Sequence, residues 1–495
     1  MLERLTTYSI FRNWQTPLLL IIFFTLRITS FYLSPHPIIQ AILVFFFIFI
    51  LGLVFFKNPD WAWMIILGEI ILGGAGHYLE FFGLSIRTVL ILVFLFLWIV
   101  FAVTNRDKIN FLKIPGKLFY VLLPLGFFLL ISTIAGLFNG HQIQYIIQDL
   151  IPFSFLILLL PAYHLFKNEK IKHYFIRLCI VFLIGSMIFS LVTFFFFTTG
   201  VAELHDPFYN WFRDVTMGKI THVTDFYYRV VTPAHLLITP ILLMICALLM
   251  RDEKHHYMWR FLFFCGALVL ALDFSRVYLL AFAVGLLFLK YKHKFHRWIK
   301  VSLWSLSIIA LMFISINIIS SGFRSFGLEI IGIRISSFAA PEVELSTATR
   351  MVLLDPIFSI IKQHPIIGSG LGATVIYLHP ATYEQVTTRS FDWGYLEMWA
   401  ELGLFGGLWL LIIVGVLIFE LIKKIRKLAD YHDFYIGLLG GIISMLIINI
   451  TTSALTHVLG IFYLAFVIAF VSKPVTIFDG VVTILYRIFN RLKQR

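Results

Sequence analysis

The sequence predicts an all-α, polytopic integral membrane protein with about 12–14 transmembrane helices and a large extracytoplasmic loop. Hydrophobic residues make up 60% of the 495-residue chain, and charged residues make up 13%. The mean hydropathy is +0.93. These values lie far outside the range of soluble globular proteins, so soluble classes of function are excluded.

Apolar runs of about 17–25 residues are long enough to cross a bilayer as helices. Such runs fall at residues 17–34, 38–56, 61–79, 86–104, 118–136, 148–166, 174–199, 233–250, 260–274, 277–291, 301–320, 392–421, 435–450 and 455–471. The runs at 260–274 and 277–291 are short and could instead form one re-entrant or tilted hairpin. That alternative would lower the count from about fourteen spans to about twelve.

Lysine and arginine indicate the orientation of the chain, because cytoplasmic loops of membrane proteins are enriched in both. If the amino terminus is inside, alternate loops contain the basic segments NRDKINFLKIPGK, KNEKIKH, RDEKHH, KYKHKFHRWIK and KKIRK. We therefore expect both termini in the cytoplasm. The net charge of +13 then reflects topology and attraction to anionic membrane lipids, and we expect no nucleic-acid partner.

The domain organisation is predicted to be simple. Residues 1–474 form one membrane domain, which includes outer loops at 200–232 and 321–391, and residues 475–495 form a basic amphipathic tail on the inner membrane surface. The cysteines lack CxxC spacing, which argues against a disulfide framework or a cysteine zinc site. They are Cys179, Cys246 and Cys265.

Three ionisable residues from distant parts of the chain share the predicted outer face. Arg276 lies in LDFSRVYLL between two short spans, Arg350 lies in a predicted surface helix, and Asp392 begins the next span. Each arginine could instead extend towards lipid headgroups, and Asp392 could serve as a helix N-cap. The surface helix is expected to be capped by Thr347 or Thr349 and to end near Pro365.

The run HPIIGSGLG is predicted to be a turn. Pro365 stops a helix, and Gly368, Gly370 and Gly372 permit positive φ and close backbone approach. The spacing differs from that of a P-loop. We interpret His364 as a residue of this turn and not as a metal ligand, because no second ligand stands at a suitable spacing.

Two further groups of residues have competing interpretations. The loop at 200–232 contains aromatic and polar residues, including Arg229, that suit sugar binding or anchoring at the membrane interface. Arg27 and Glu69 lie within predicted spans and could pair inside the helix bundle, which we interpret as a structural role.

The motifs taken together are SR near the start of a span, R and HPxxGxG in a long outer loop, and YLxxxxELGxxG in the following span. This set resembles the bacterial O-antigen ligase and O-antigen polymerase superfamily, which also includes protein O-oligosaccharyltransferases. The resemblance covers residues 270–410 by motif and implies a GT-C-like membrane glycosyltransferase of the bacterial inner membrane. Such an enzyme transfers a glycan from undecaprenyl pyrophosphate on the periplasmic or outer face.

The resemblance also implies roles for individual residues. The family arginines that match Arg276 and Arg350 contact the pyrophosphate. A His-Asn pair usually precedes the YL motif, and Asp392-Trp393 replaces it here, which favours a polymerase over a ligase. We expect Asp392 to act as the general base, because a carboxylate can replace the imidazole in this role. The expected substrate-binding residues are Arg276, Arg350, His364, Gly368, Gly370, Tyr395 and Arg229.

The expected reaction is inverting and needs no metal or cofactor, since arginines supply permanent positive charge at the leaving group. The implied partners are the lipid-linked oligosaccharide, a glycan or lipid acceptor, membrane lipids and a chain-length regulator. The nearest alternatives are an O-antigen ligase and a protein O-oligosaccharyltransferase. Two other classes remain: a flippase, which needs a polar path open to both faces, and a polysaccharide-binding scaffold without turnover.

Overall fold

The computed structural model describes residues 14–104, 113–159, 161–162, 169–251, 256–340, 344–427, 432–471 and 474–476. The described chain is mainly helical, with four small two-stranded antiparallel sheets. This confirms the predicted all-α, multi-pass membrane fold. The predicted tail at 475–495 lies almost entirely outside the described residues.

The helices follow one another along the chain with short connections. They are α1 (Gln15–Leu33), α2 (Pro37–Lys57), α3 (Pro59–Gly73), α4 (Ile86–Thr104), α5 (Gly116–Phe138), α6 (Ile143–Ser154), α7 (Glu169–Thr198), α8 (Pro207–Asp214), α9 (Ile238–Leu249), α10 (His256–Asp273), α11 (Arg276–Phe288), α12 (Phe295–Ser320), α13 (Leu328–Ala339), α14 (Leu345–Gln363), α15 (Gly394–Lys427), α16 (His432–Ile448) and α17 (Val458–Val471). Single-turn 3₁₀ helices follow α6 at Phe155–Leu158 and precede α9 at Pro233–Leu237.

The strands form four pairs. They are β1 (Glu80–Phe81) with β2 (Leu84–Ser85), β3 (Lys113–Pro115) with β8 (Pro474–Thr476), β4 (Lys219–Thr224) with β5 (Tyr227–Val231), and β6 (Val375–Leu378) with β7 (Gln385–Thr388). The last two pairs are hairpins in the predicted outer loops at 200–232 and 321–391.

Among the described residues, seven helices contain a stretch that is long and apolar enough to cross a membrane. They are α1, α2, α4, α5, α7, α12 and α15. The shorter apolar helices are α6 with its 3₁₀ turn, α9 with its 3₁₀ turn, α11, α16 and α17. Every span predicted from the sequence coincides with one of the helices, although several are shorter than a full membrane crossing needs.

Several boundaries differ from the predicted ones. The span expected at 61–79 ends at Gly73, because Gly74 adopts φ 59° and leaves the helical conformation. The span expected at 148–166 begins earlier, as α6, and tightens into a 3₁₀ turn after Pro152, whose ring removes a backbone donor. The runs at 260–274 and 277–291 are two separate helices, α10 and α11.

The expected threonine cap of α14 was wrong. Helix α14 begins one residue after Glu344, so Thr347 and Thr349 lie inside its first two turns. The Thr347 hydroxyl lies 3.3 Å from Glu344 Oε2. The Thr349 hydroxyl donates to the Leu345 carbonyl at 2.8 Å. Both hydroxyls therefore bond locally, as threonines inside helices commonly do.

The described residues fall into two compact units. Unit 1 comprises those within Met1–Phe101, Leu165–Ile330 and Tyr431–Ser444. Unit 2 comprises those within Ala102–His164, Ile331–Asp430 and Met445–Arg495. The single membrane domain expected at 1–474 stays a prediction, and each unit is described separately below.

In unit 1 the expected pairing of Arg27 with Glu69 was wrong. Arg27 donates to the carbonyls of Phe23 and Leu72, both at 3.0 Å, and its guanidinium lies 3.4 Å from the Phe23 ring centroid. Glu69 instead accepts from Arg87 Nε at 2.9 Å. Each buried charge therefore has its own partners, which agrees with the predicted structural role.

In unit 2 the apolar face of α14 forms the core of the outer loop. Leu353, Ile357 and Ile361 are buried at helical spacing and pack against the β6–β7 region and the start of α15. The remaining members of this cluster are Ala373, Val375, Phe391 and Ala400, flanked by Ile360, Tyr377, Trp393, Leu396 and Trp399. The packing fixes the position of α14 relative to the first turns of α15.

Candidate active site

Helix α15 is broken at Gly403, which adopts φ 69° and ψ 178°. At this break the Leu404 N–H donates to the Pro365 carbonyl at 3.2 Å and not to the carbonyl four residues before it. The freed carbonyls of Ala400 and Glu401 accept from the backbone of Ser369 at 2.7 Å and of Gly370 at 3.2 Å. The glycine turn thus supplies the donors that the broken helix lacks.

The three glycines of this turn adopt positive φ, as predicted. A methyl group at Gly368 would lie 2.5 Å from the Glu401 carbonyl oxygen, and one at Gly370 would lie 2.0 Å from the Gly136 nitrogen. Side chains are therefore excluded by backbone on both sides. The structure gives these glycines a packing role, while their contact with substrate stays a prediction.

Helix α5 completes the clamp around the break. The Ser132 hydroxyl donates to the Glu401 carbonyl at 2.7 Å, and the Ser132 carbonyl accepts from the Leu371 N–H at 3.1 Å. The two sequence motifs HPIIGSGLG and ELGLFGG are thus joined to each other and to α5. The first nine residues of α15 are consequently fixed in direction.

His364 ends α14, and its backbone N–H bonds to the Ile360 carbonyl at 3.0 Å. Its own carbonyl accepts from the Gly368 N–H at 3.1 Å. The side chain is half-exposed. This agrees with the interpretation of His364 as a residue of the turn, and its predicted substrate contact is not tested by the geometry.

Asp392 lies in the short turn before α15 and adopts φ 54°. The left-handed region is uncommon for residues other than glycine, although aspartate tolerates it better than most. Its carboxylate accepts from the Ser390 hydroxyl at 3.2 Å. The adjacent Phe391 N–H donates to Glu397 Oε2 at 3.2 Å, so bonds on both sides hold the turn.

The alternative role of Asp392 as an N-cap was wrong. The Glu397 N–H donates to the Trp393 carbonyl at 2.8 Å, so Trp393 is the N-cap residue and Asp392 stands one position before it. The carboxylate at position 392 is therefore not needed to begin the helix.

The turn at Asp392 adjoins Arg350 and Tyr377. The Trp393 indole N–H donates to the Arg350 carbonyl at 2.9 Å, which ties the second turn of α14 to this turn. Burial, followed by the negative charge of Asp392, raises the pKa of the Tyr377 phenol. Unit 2 therefore brings a half-buried arginine, a carboxylate and a phenol into one neighbourhood.

Tyr395 follows in the first turn of α15, and its hydroxyl donates to the Leu446 carbonyl at 2.7 Å. This bond fixes α15 against the end of α16. The predicted contact between Tyr395 and substrate remains a prediction, because the phenol proton is already used within the protein.

In unit 1, Arg276 is the first residue of α11, and Ser275 precedes it as the N-cap residue. Phe274 adopts φ 41°, which is unusual for an aromatic residue. Its ring stacks on Phe313, with centroids 4.1 Å apart. Arg276 is half-buried at the end of this constrained turn.

Asp273, immediately before this turn, has a fully buried carboxylate. It lies 3.0 Å from His235 Nδ1 and 3.4 Å from the Arg229 guanidinium. Arg229 Nε also donates to the Asp273 carbonyl at 2.6 Å. Arg229 thus holds the turn that presents Arg276, and its predicted contact with substrate stays untested.

Residues 261–411 match the family model described as O-antigen ligase. Through this region the chain belongs to the O-antigen ligase and polymerase superfamily. A comparison with curated proteins gave no match. The matched region of this O-antigen ligase-type domain contains Arg276, Arg350, His364, the glycine turn, Asp392 and the break in α15. The family supports a membrane glycosyltransferase of the ligase or polymerase type.

The O-antigen ligase-type domain also contacts a charged pair that the sequence analysis did not single out. Arg389 forms an ion pair with Asp149 of α6, and its guanidinium lies 5.0 Å from the Tyr145 ring centroid. Asp149 Oδ2 also accepts from the Gly372 N–H at 2.7 Å. The available signal was a lone aspartate in the apolar run IIQDLIPF, which is costly in a membrane without a partner.

Proposed function

We propose that this chain is a polysaccharide polymerase that extends a glycan carried on undecaprenyl pyrophosphate. The observation that carries the proposal is Asp392. It replaces the histidine typical of ligases within the family region, and it is held at φ 54° beside the arginine-bearing helix α14. Non-glycine residues held at positive φ are often found at functional sites.

Positive charge at the leaving group would come from Arg276 and Arg350. A guanidinium is permanently charged, and its planar fork makes paired bonds to phosphate oxygens. Both arginines lie in the matched region, and each stands beside a turn that other side chains hold in place. Their joint contact with one pyrophosphate is part of the proposal.

Asp392 would act as the general base. The hydroxyl oxygen of the acceptor forms a bond to the anomeric carbon, while the bond from that carbon to the pyrophosphate oxygen breaks. The hydroxyl proton passes to the Asp392 carboxylate, and the lipid pyrophosphate leaves with the bonding electron pair. A single displacement of this kind inverts the anomeric centre and requires no cofactor.

The reaction would take place on the periplasmic or outer face of the bacterial inner membrane, with both termini in the cytoplasm. Contacts within unit 1 support this orientation. Arg229 of loop 200–232 meets Asp273 beside Arg276, and both segments were predicted outside. Arg251, His293 and Asp433, from three loops predicted inside, also meet one another.

The second candidate is an O-antigen ligase, since this is the description of the matching family model. The two activities differ in acceptor. A polymerase transfers the growing chain to another lipid-linked repeat unit, whereas a ligase transfers it to a different lipid or to a protein.

Purified protein in nanodiscs, supplied only with the undecaprenyl-pyrophosphate-linked repeat unit, tests the proposal directly. A polymerase should produce a ladder of products that remain lipid-linked and should release undecaprenyl pyrophosphate. A product that appears only after addition of a lipid A core or protein acceptor would establish the ligase instead. If neither acceptor supports release of undecaprenyl pyrophosphate, glycosyl transfer itself is refuted for this repeat unit.

A further inference from the structure

Three potential metal ligands meet in unit 1, in loops that do not contribute to the proposed active site. His293 lies in the connection between α11 and α12, and His432 and Asp433 begin α16. One ligand atom from each residue lies within 4.8 Å of the other two. The Asp433 side chain is 4% exposed and that of His293 is 5% exposed.

The hydrogen bonds of His293 indicate which of its ring nitrogens is available. Its Nδ1 lies 2.6 Å from the Leu289 carbonyl oxygen. A carbonyl can only accept, so Nδ1 carries a proton, and the neutral ring presents a lone pair at Nε2. Histidine ligands of metals commonly donate their second nitrogen to a backbone carbonyl in this way.

That lone pair faces a carboxylate oxygen. His293 Nε2 lies 2.8 Å from Asp433 Oδ1, and His432 Nε2 lies 3.0 Å from the same oxygen. Two lone pairs at hydrogen-bond distance repel each other unless a cation lies between them. The cation is either a second proton on His293 or a metal ion.

We propose that His293, His432 and Asp433 bind a divalent transition-metal ion of the zinc type. Two imidazole nitrogens and one carboxylate oxygen are ligands that Zn²⁺ accepts, with water in the fourth position. Ligand atoms in a tetrahedral zinc site lie roughly 3.3 Å apart. The two contacts to Asp433 Oδ1, 2.8 and 3.0 Å, need only about half an ångström of adjustment to meet that spacing.

The surroundings fix the carboxylate for this purpose. Arg251 Nε lies 3.8 Å from Asp433 Oδ2, so the arginine orients the oxygen that faces away from the two histidines. Because His432 and Asp433 are adjacent, the start of α16 supplies two ligands. The ion would thus join the α11–α12 connection to the start of α16, and it would act as a structural cross-link.

The test uses full-length protein purified in nanodiscs, stripped with a chelator and titrated with Zn²⁺. We expect one equivalent to bind and to raise the midpoint of thermal unfolding, because a ligand of the folded state stabilises it. His293→Ala and His432→Ala should each raise the Kd by more than about 10-fold, a loss that outer-shell changes alone can cause. The matched control is His296→Ala, which alters an exposed histidine three residues away and should bind as wild type does.

Co²⁺ provides a second measurement that needs no variant. Bound by these ligands in the wild-type protein, it should give a visible d–d absorption band that Zn²⁺ abolishes. Wild-type protein that binds neither ion stoichiometrically would overturn the proposal, and the cluster would then be an imidazolium–carboxylate ion pair. Equal affinity of the His293→Ala and His296→Ala variants would overturn it as well.

Discussion

The turn before α11 in unit 1 and the turn before α15 in unit 2 both hold a residue other than glycine at positive φ, but they are stabilised differently. Phe274 is held by aromatic stacking and by the buried charges of Asp273 and Arg229. Asp392 is held by bonds to neutral donors on neighbouring residues, and its carboxylate is half-exposed.

The difference shows two ways to place a functional group. In unit 1 the constrained residue is apolar and the candidate substrate ligand, Arg276, comes two positions later. In unit 2 the constrained residue is itself the candidate catalytic group, Asp392. Conformation and chemistry are thus separable by substitution at Asp392, whereas in unit 1 they belong to different residues.

The largest effect is expected from substitutions of Asp392. Asp392→Asn should lower transfer by about 10²–10⁴-fold, the contribution of a general base, with an unchanged thermal midpoint. Asp392→Gly should lose the same activity while matching or exceeding wild-type stability, since glycine adopts positive φ without strain. Transfer rates and thermal unfolding in nanodiscs measure both. Substantial turnover by a folded Asn variant would remove Asp392 as the base.

In unit 1 the expected effect is on stability. Asp273→Asn should destabilise the protein by about 3–5 kcal/mol, because Arg229 would lose its buried counter-charge. Ser390→Ala, the corresponding change beside Asp392, should cost about 1 kcal/mol. The midpoints of thermal or denaturant unfolding give the comparison. Similar losses for the two variants would show that buried charge does not distinguish the turns.

Arg276→Ala and Arg350→Ala should each reduce transfer by about 10²–10³-fold, the usual effect of removing one donor to a developing anion. Lysine should restore little activity, because it lacks the planar fork. Arg324→Ala is the matched control, as this arginine is exposed in the same outer loop as Arg350. If only Arg350→Ala is inactive, the turn in unit 1 does not take part in the reaction.

Gly370→Ala should destabilise unit 2 by about 2–4 kcal/mol, because the added methyl group meets backbone and the φ of 94° is unfavourable for alanine. Gly415→Ala is the control within α15, where nothing lies within 4 Å of the added carbon. That change should be neutral or stabilising by up to about 1 kcal/mol. Equal thermal midpoints for the two variants would argue against the glycine clamp.

The smallest effect is expected for Tyr395→Phe. The lost hydrogen bond to the Leu446 carbonyl should cost about 1 kcal/mol of stability. If the phenol only positions α15, KM for the lipid-linked substrate should stay within twofold of wild type. A larger rise in KM, with kcat unchanged, would restore Tyr395 to the substrate-binding residues.

Much of the fold could be predicted from the sequence, because each helix carries its own apolar run. The partners of charged residues could not be predicted, since they depend on the rotation and depth of neighbouring helices. Glu69 pairs with Arg87, and Arg27 bonds to carbonyls and faces aromatic rings. Both outcomes satisfy the same rule, that buried charges need partners, and the sequence does not choose between them.

The candidate site was predictable where chemistry is local. The positive φ values of Gly368, Gly370 and Gly372 follow from residue type and turn composition. The contact between the glycine turn and the break in α15 joins motifs 31 residues apart, as in the bond from Ser369 to Ala400. A contact of this length has no local signature, and the same holds for Asp149 with Arg389.

The break at Gly403 also bears on how the protein responds to bilayer thickness. A continuous membrane helix that tilts to match a thicker or thinner bilayer moves its outer end with it. In α15 the outer segment is bonded to the glycine turn and to α5, whereas the longer segment after Leu404 is an apolar membrane helix. We therefore expect the lipid-facing segment to tilt while the Asp392 turn keeps its geometry.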